Sequence, residues 1–223
     1  MPLDPQLATN TEDLPLWDDA FRDELKALLR WRRDVRHFRP GPLPPDQIDR
    51  LIEAACLAPS VGNAQPWRFV VVNDADCRSR ILADHLGENA IAANAYEPDT
   101  ALAYRQLKLS GLLEAPVHLA VFCDEHVGEG KGLGRQTMPE MLRYSVVCAI
   151  HSLWLAARSE GVGVGWVSIL NPHVVSHVLT VPDTWSLIAY LCIGRPATIT
   201  PRPELDRLGW QKRLEWKKFV VVK

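Results

Sequence analysis

The sequence has no Cys-x-x-Cys pair, no long run of like charge, and no apolar stretch long enough to cross a bilayer. Its five cysteines (Cys56, Cys77, Cys123, Cys148 and Cys192) are scattered and odd in number, mostly in apolar surroundings. They read as reduced core thiols in a reducing compartment, not as a disulfide framework. Lys and Arg total 25 against 27 Asp and Glu, a net charge of -2. Neither a nucleic-acid surface nor an anionic-membrane surface is indicated. The apolar run from Val146 to Ala157 is broken by His151 and Ser152, and it is too short for a membrane span. Residues 1–16 show no basic region followed by an apolar one, so no signal peptide is expected. A soluble, cytoplasmic protein is the expectation. Several catalytic signatures are missing too. Gly128 to Gly134 lacks the Lys-Ser/Thr ending of a phosphate-binding P-loop. No G-x-S-x-G elbow occurs, and Ser145 and Ser168 have no evident His–Asp partnership. His173 and His177 are four apart but lack a third ligand, so no metal site is expected.

What is present is ordinary globular composition, 47% hydrophobic and 23% charged over 223 residues. That length suits one domain with a substantial core. Residues 1–16 read as a flexible arm and 17–223 as a single α+β domain. Phe21, Leu25, Leu28 and Leu29 predict a helix from Asp18 to about Trp31. A second helix starts near Pro45, buries Ile48, Leu51, Ile52 and Ala55, and ends before Pro59. Residues 77–85 and 99–113 look helical. Strands are expected at Trp67–Val72, Val117–Cys123, Val164–Ile169 and Trp185–Ile193. The second is apolar on both faces and so central in a covered sheet. Met138 to Glu160 is apolar on nearly every side, which predicts a buried central helix. A short helix follows from Asn171 to Leu179. The tail from Pro201, rich in Trp and charge, is of a kind that packs on a partner subunit.

Three segments carry possible chemistry. Arg32-Arg33-Asp34-Val35-Arg36 places three arginines around one carboxylate at a helix end. Arginine offers a rigid fork of donors suited to phosphate. In an extended chain Arg32, Asp34 and Arg36 share a side, and Arg33 and Val35 face the other way. Read alone, the segment is either a phosphate clamp or a solvated helix end. The loop from Ala58 to Trp67 holds Ser60, Asn63 and Gln65 between prolines. It can present donors to a planar polar ligand, or simply join a helix to a strand. Gly161, Gly163 and Gly165 lead into a strand. They suit close approach of a backbone to a ligand ring, or tight packing.

Together and in this order, the three segments resemble the nitroreductase superfamily. Within it, Asp34 stands where serine is usual. The runs YRQLKLSGLLEAPVHLAVFCD, GRQTMPEMLRYSVVCAIHSLWLAARSEGVGVGWVSIL and PELDRLGWQKRL resemble its flavin-consuming branch, the 5,6-dimethylbenzimidazole synthases. Asn63, Ala64, His151 and Ser152 depart from that branch's usual residues. The resemblance implies a nitroreductase-like α+β fold with a central, mostly antiparallel sheet flanked by helices. It also implies an intertwined homodimer with FMN at the subunit interface. Arg32, Arg33 and Arg36 would bind the phosphate and ribityl chain of FMN, with Asp34 and Val35 among them. Ser60 and its loop neighbours, Gln65 included, would reach FMN from the partner subunit, and Lys108 would add a contact. Gly165, Trp166 and Ser168 would lie along the ring. Asp34 and Ser168 match the catalytic positions. The implied reaction uses O2 to cleave reduced FMN, the substrate, into 5,6-dimethylbenzimidazole and erythrose 4-phosphate. A separate flavin reductase would supply the reduced FMN. Asp34 is then the acid/base, and the neighbouring arginines are expected to favour its ionised form. Two other readings remain open: a conventional NAD(P)H-dependent nitroreductase or quinone reductase, and a non-catalytic flavin-binding protein.

Overall fold

The computed structural model describes residues 17–105, 107 and 110–223, with the side chain of residue 105 excepted. The expected arm at 1–16 and the expected contact Lys108 lie outside the described residues.

Four strands, β1 (Trp67–Val71), β2 (Val117–Asp124), β3 (Gly163–Val167) and β4 (Trp185–Gly194), form one sheet in the order β1-β2-β4-β3. Every neighbouring pair is antiparallel. β2 sits between β1 and β4, and its apolar run is explained by cover on both faces. Side chains alternate along it with period two. Leu119, Val121 and Cys123 enter one core, and Ala120 and Phe122 enter the other. In β4, Leu191 and Ile193 join the first core, and Tyr190 and Cys192 join the second.

Helices cover the two faces. The first core is closed by α2 (Gln47–Cys56) and α6 (Met141–Ser159), through residues such as Leu51, Ala55, Val146 and Leu153. The second is closed by α3 (Ala75–Asn94) and α7 (Pro172–Leu179), through Ile81, Val175 and Val178. α1 (Asp19–Trp31) precedes them, capped by Asp18, whose carboxylate accepts from Phe21 N at 2.8 Å. α4 (Pro98–Arg105), α5 (Gly111–Glu114) and α8 (Glu204–Arg207) are short. No described helix is long and apolar enough to cross a membrane.

Several expectations need correction. The helix expected at 77–85 runs from Ala75 to Asn94, starting where Asp74 accepts from Cys77 N at 2.8 Å. The helix expected at 99–113 is two short pieces, with Leu107 and Ser110 non-helical between them. β3 ends at Val167, which leaves Ser168 just beyond it and exposed. α6 is not buried all round. Ser145, Val146, Ala149, Ile150 and Leu153 face the core. Tyr144, Val147, Cys148 and His151 form an exposed stripe on the other side. α1 likewise leaves Phe21, Leu25 and Leu29 exposed. Of the thiols, Cys56 and Cys148 are at the surface and not in the core, and all five are free.

Candidate active site

α6 ends at Ser159 with Glu160 as its C-cap, and Gly161 takes φ 74°, a left-handed conformation that costs glycine little. Val162 N–H then donates back to Ala157 O at 2.8 Å, which terminates the helix and turns the chain into β3. Segment 32–38 lies against the outer side of β3. Val35 N–H donates to Val164 O at 3.0 Å, and Asp34 bridges Val164 in parallel. The glycines of β3 make this approach possible. A Cβ on Gly165 would lie 2.2 Å from Val35 O, and one on Gly163 would lie 2.8 Å from the Val35 side chain. Packing therefore accounts for both glycines. The segment's far end is fixed by Phe38, which is buried in the second core and donates its N–H to Glu114 at 2.9 Å.

This anchoring sorts the three arginines. Arg33 Nε donates to Pro201 O at 2.9 Å, and its Nη1 donates to Arg32 O at 2.6 Å. The Arg32 guanidinium stacks over the Trp154 ring at 4.7 Å. Arg36 Nε lies 3.4 Å from Asp34 Oδ2 and 4.0 Å from Glu204 Oε2. Burial lowers the pKa of Arg32 and of Arg33, and the charge of Arg213 lowers both further. A positive cluster in that state is relieved by an anion.

Asp34 is held from two sides. Its Oδ1 accepts the Trp166 N–H at 2.9 Å, and its Oδ2 faces Arg36. The arginines were expected to favour its ionised form, but the net shift is upward. Desolvation outweighs the Trp166 hydrogen bond and the Arg36 charge, and Glu204 adds like-charge repulsion. About a third of the side chain (36%) still opens onto the cavity, so a ligand there would deepen the desolvation.

Two adjoining spaces, of about 330 Å³ and 370 Å³, share Arg33, Asp34, Arg36, Trp154 and Glu204 in their walls. Arg32 and Arg213 line the second. Among the described residues, two buried side-chain nitrogens lack a hydrogen-bond partner, Arg36 Nη1 and Trp154 Nε1. Both belong to residues of these walls. A buried donor left unpaired is costly, so an acceptor-rich ligand fits here. FMN, with its phosphate, ribityl hydroxyls and ring carbonyls, is chemically such a ligand.

Of the expected site residues, Arg32, Arg33, Asp34, Val35 and Arg36 line these spaces, whereas Gly165 and Trp166 do not and instead pack on Val35 and Asp34 from β3. Ser60 and Gln65 do not line these spaces within one chain. Their loop is locally fixed, with Gln65 N–H donating to Ser60 Oγ at 3.1 Å. Ser168 does not line them either. Sequence reasoning missed Trp154, Glu204 and Arg213. The first lay hidden in the apolar helix pattern. The other two lie in PELDRLGWQKRL, which was recognised only as a run of likeness.

A four-stranded antiparallel sheet between helix layers, with an arginine-rich anion cavity at the edge of β3, defines an α+β protein built to hold an anionic ligand. The chain belongs to the nitroreductase family, whose model matches residues 29–195. It is similar to a 5,6-dimethylbenzimidazole synthase of Rhodospirillum rubrum, with 58% identity over 89% of this chain and 94% of that protein. A 5,6-dimethylbenzimidazole synthase of Rhodobacter capsulatus is 47% identical, over 91% of this chain and 99% of its own. Among solved structures, an oxidized iodotyrosine deiodinase bound to FMN and 3-iodo-L-tyrosine superposes with a TM-score of 0.69. It is 25% identical and covers 89% of this chain and 97% of that one.

Proposed function

We propose that this chain cleaves reduced FMN with O2, giving 5,6-dimethylbenzimidazole, erythrose 4-phosphate and the pyrimidine remainder of the ring, a C4H4N2O4 fragment that carries the oxygen taken up. The observation that carries the reading is Asp34. It is a carboxyl group fixed inside an arginine cluster by a backbone N–H, with its proton affinity raised by burial. Similarity to two synthases over nearly the whole chain supports the same conclusion.

Arg32 and Arg213, with Arg33 behind them, hold the phosphate of the substrate. Arg36 Nη1 and Trp154 Nε1 supply donors to its remaining oxygens. Reduced FMN brings the electrons that O2 accepts. Asp34 takes the proton from the ribityl carbon next to the ring, because the anchored phosphate draws that chain past it. A raised pKa makes it a better base than a solvated aspartate. Ser168, from beyond the end of β3, hydrogen-bonds the ring side of the substrate. Ser60 and Gln65 reach the site from a second subunit of a homodimer. Support for that assembly comes from the uncovered stripes of α1 and α6. A separate reductase supplies the reduced flavin. Free cysteines accord with a reducing, cytoplasmic setting.

The test is direct. Protein is mixed anaerobically with chemically reduced FMN, air is admitted, and products are separated by chromatography. Dimethylbenzimidazole is expected. Recovery of intact oxidised FMN without it rejects the proposal, and turnover of a nitroaromatic with NAD(P)H would then indicate a conventional nitroreductase.

A further inference from the structure

Asp34 and Arg36 come from one short segment, but Arg36 has a second acidic neighbour from the far end of the chain. Glu204 opens α8, and its Oε2 lies 4.0 Å from Arg36 Nε. The Arg36 side chain is only 11% exposed and that of Glu204 25% exposed. The contact is thus largely shielded from solvent. Its place in the fold is defined by the backbone, with Leu208 N–H donating to Glu204 O at 2.8 Å. Glu204 also stands in the walls of both spaces that meet at Asp34.

We propose that Glu204 is a positioning residue for the flavin-cleaving reaction, engaging Arg36 Nε together with Asp34 so that the buried Arg36 Nη1 is left to donate to the flavin. This deepens the function proposed above and rests on it. Asp34 accepts from Nε at 3.4 Å and Glu204 adds a charge contact at 4.0 Å, and together they hold the guanidinium. They also leave Nη1 as a donor without a protein partner, which is its state here. A guanidinium held by Asp34 alone could swing to give that carboxylate its forked face and neutralise the base. Glu204 competes for the same cation and so keeps Asp34 available for the proton.

The charged and titratable groups around Asp34 make the sign definite. Arg32 and Arg36 lie on its own segment. Cys192 comes from β4, its thiol pushed up to about 12 mainly by burial, and therefore neutral. β3 contributes the Trp166 N–H. Glu204 comes from α8 and is the acidic group that raises Asp34 by repulsion. Removing its charge lowers the pKa of Asp34.

Glu204→Gln and Glu204→Asp are compared with the wild type in three measurements. The first is affinity for oxidised FMN by flavin fluorescence. The second is the pH dependence of dimethylbenzimidazole formation, and the third is the melting temperature without flavin. Glu204→Gln is expected to bind FMN about two- to fivefold more weakly, the size of one partly screened ion pair. Its acid limb should move down by roughly half a pH unit. Its flavin-free melting temperature should stay near wild type, and Glu204→Asp should recover most of both losses. Unchanged affinity overturns the proposal, and so does an unmoved acid limb. Equal impairment of both variants with a fall in flavin-free melting temperature also overturns it, because that is the mark of a structural role. A wild type that forms no dimethylbenzimidazole rejects the parent function instead. The binding comparison then still decides whether Glu204 positions Arg36.

Discussion

Asp34 is buried at a cost to the fold. A carboxyl group whose pKa is raised in the folded state binds its proton more tightly there than in the unfolded chain. Its contribution is therefore most favourable when protonated, and is lost as pH rises from the unfolded value through the folded one. Because a third of the side chain is open to solvent, screening keeps the effect small. Asp34→Asn should still bind FMN and should lose roughly 100-fold or more in product formation. Its flavin-free melting temperature at neutral pH should rise slightly, on the order of 2 °C. A normal rate in that variant would remove Asp34 from the mechanism. His118 shows the opposite case. It is buried, 2.9 Å from Tyr190 Oη, and its pKa falls from 6.5 to about 4, through burial first and then the charge of Arg78. A histidine that must stay neutral when folded stabilises fully above its unfolded pKa. That stability is lost as pH falls from 6.5 toward 4, to a total of about 3 kcal/mol. Thermal melts between pH 7 and pH 4 should show the loss, and His118→Gln should flatten it.

At the scale of elements, the site depends on how closely segment 32–38 lies on β3. The two glycines of that strand should respond differently to alanine. At Gly165 the new Cβ meets the Val35 carbonyl, which cannot move without carrying Asp34 away. At Gly163 it meets only the side chain of Val35, the two methyls at 2.8 and 3.1 Å and the Cβ at 3.2 Å. Gly165→Ala is expected to cost about 2–3 kcal/mol and most of the activity. Gly163→Ala should cost less and be largely rescued by Val35→Ala, which removes the two nearer contacts, a rescue that fails for Gly165→Ala. Denaturant melts and product assays on the four variants check this. The sequence showed that these glycines were special but not why, since a close approach to a ligand and a close approach to another segment leave the same trace.

At the scale of the whole molecule, the described residues include apolar stripes left uncovered on two helices, Phe21, Leu25 and Leu29 on α1 and Tyr144 and Val147 on α6. A second copy of the chain is the occupant implied by the proposed function. Val147→Glu, placing a charge in the α6 stripe, should shift sedimentation from dimer toward monomer. It should also weaken FMN binding, because Ser60 and Gln65 would no longer meet Arg32 and Asp34. A dimeric variant with unchanged FMN affinity would place the interface elsewhere. Here periodicity misled. An all-round apolar helix reads as buried, and its pattern does not say whether the cover is the same chain or another.

Local chemistry determined much of this protein. The unbroken apolar run of β2 specifies a strand buried on both faces. The arginine segment, the proline-bracketed loop and the glycine turn, in that order, resemble the nitroreductase superfamily, and that resemblance implied a flavin site. Tertiary structure decided what depends on distance and desolvation. It turned Asp34 from a carboxylate expected to be stabilised by arginines into one whose proton affinity rises, because burial outweighs the charges beside it. It also brought Glu204, Arg213 and Trp154 to the same cavity from separate stretches of chain. A sequence displays which groups exist and how they are spaced. The field that each one feels is set by neighbours that only folding supplies.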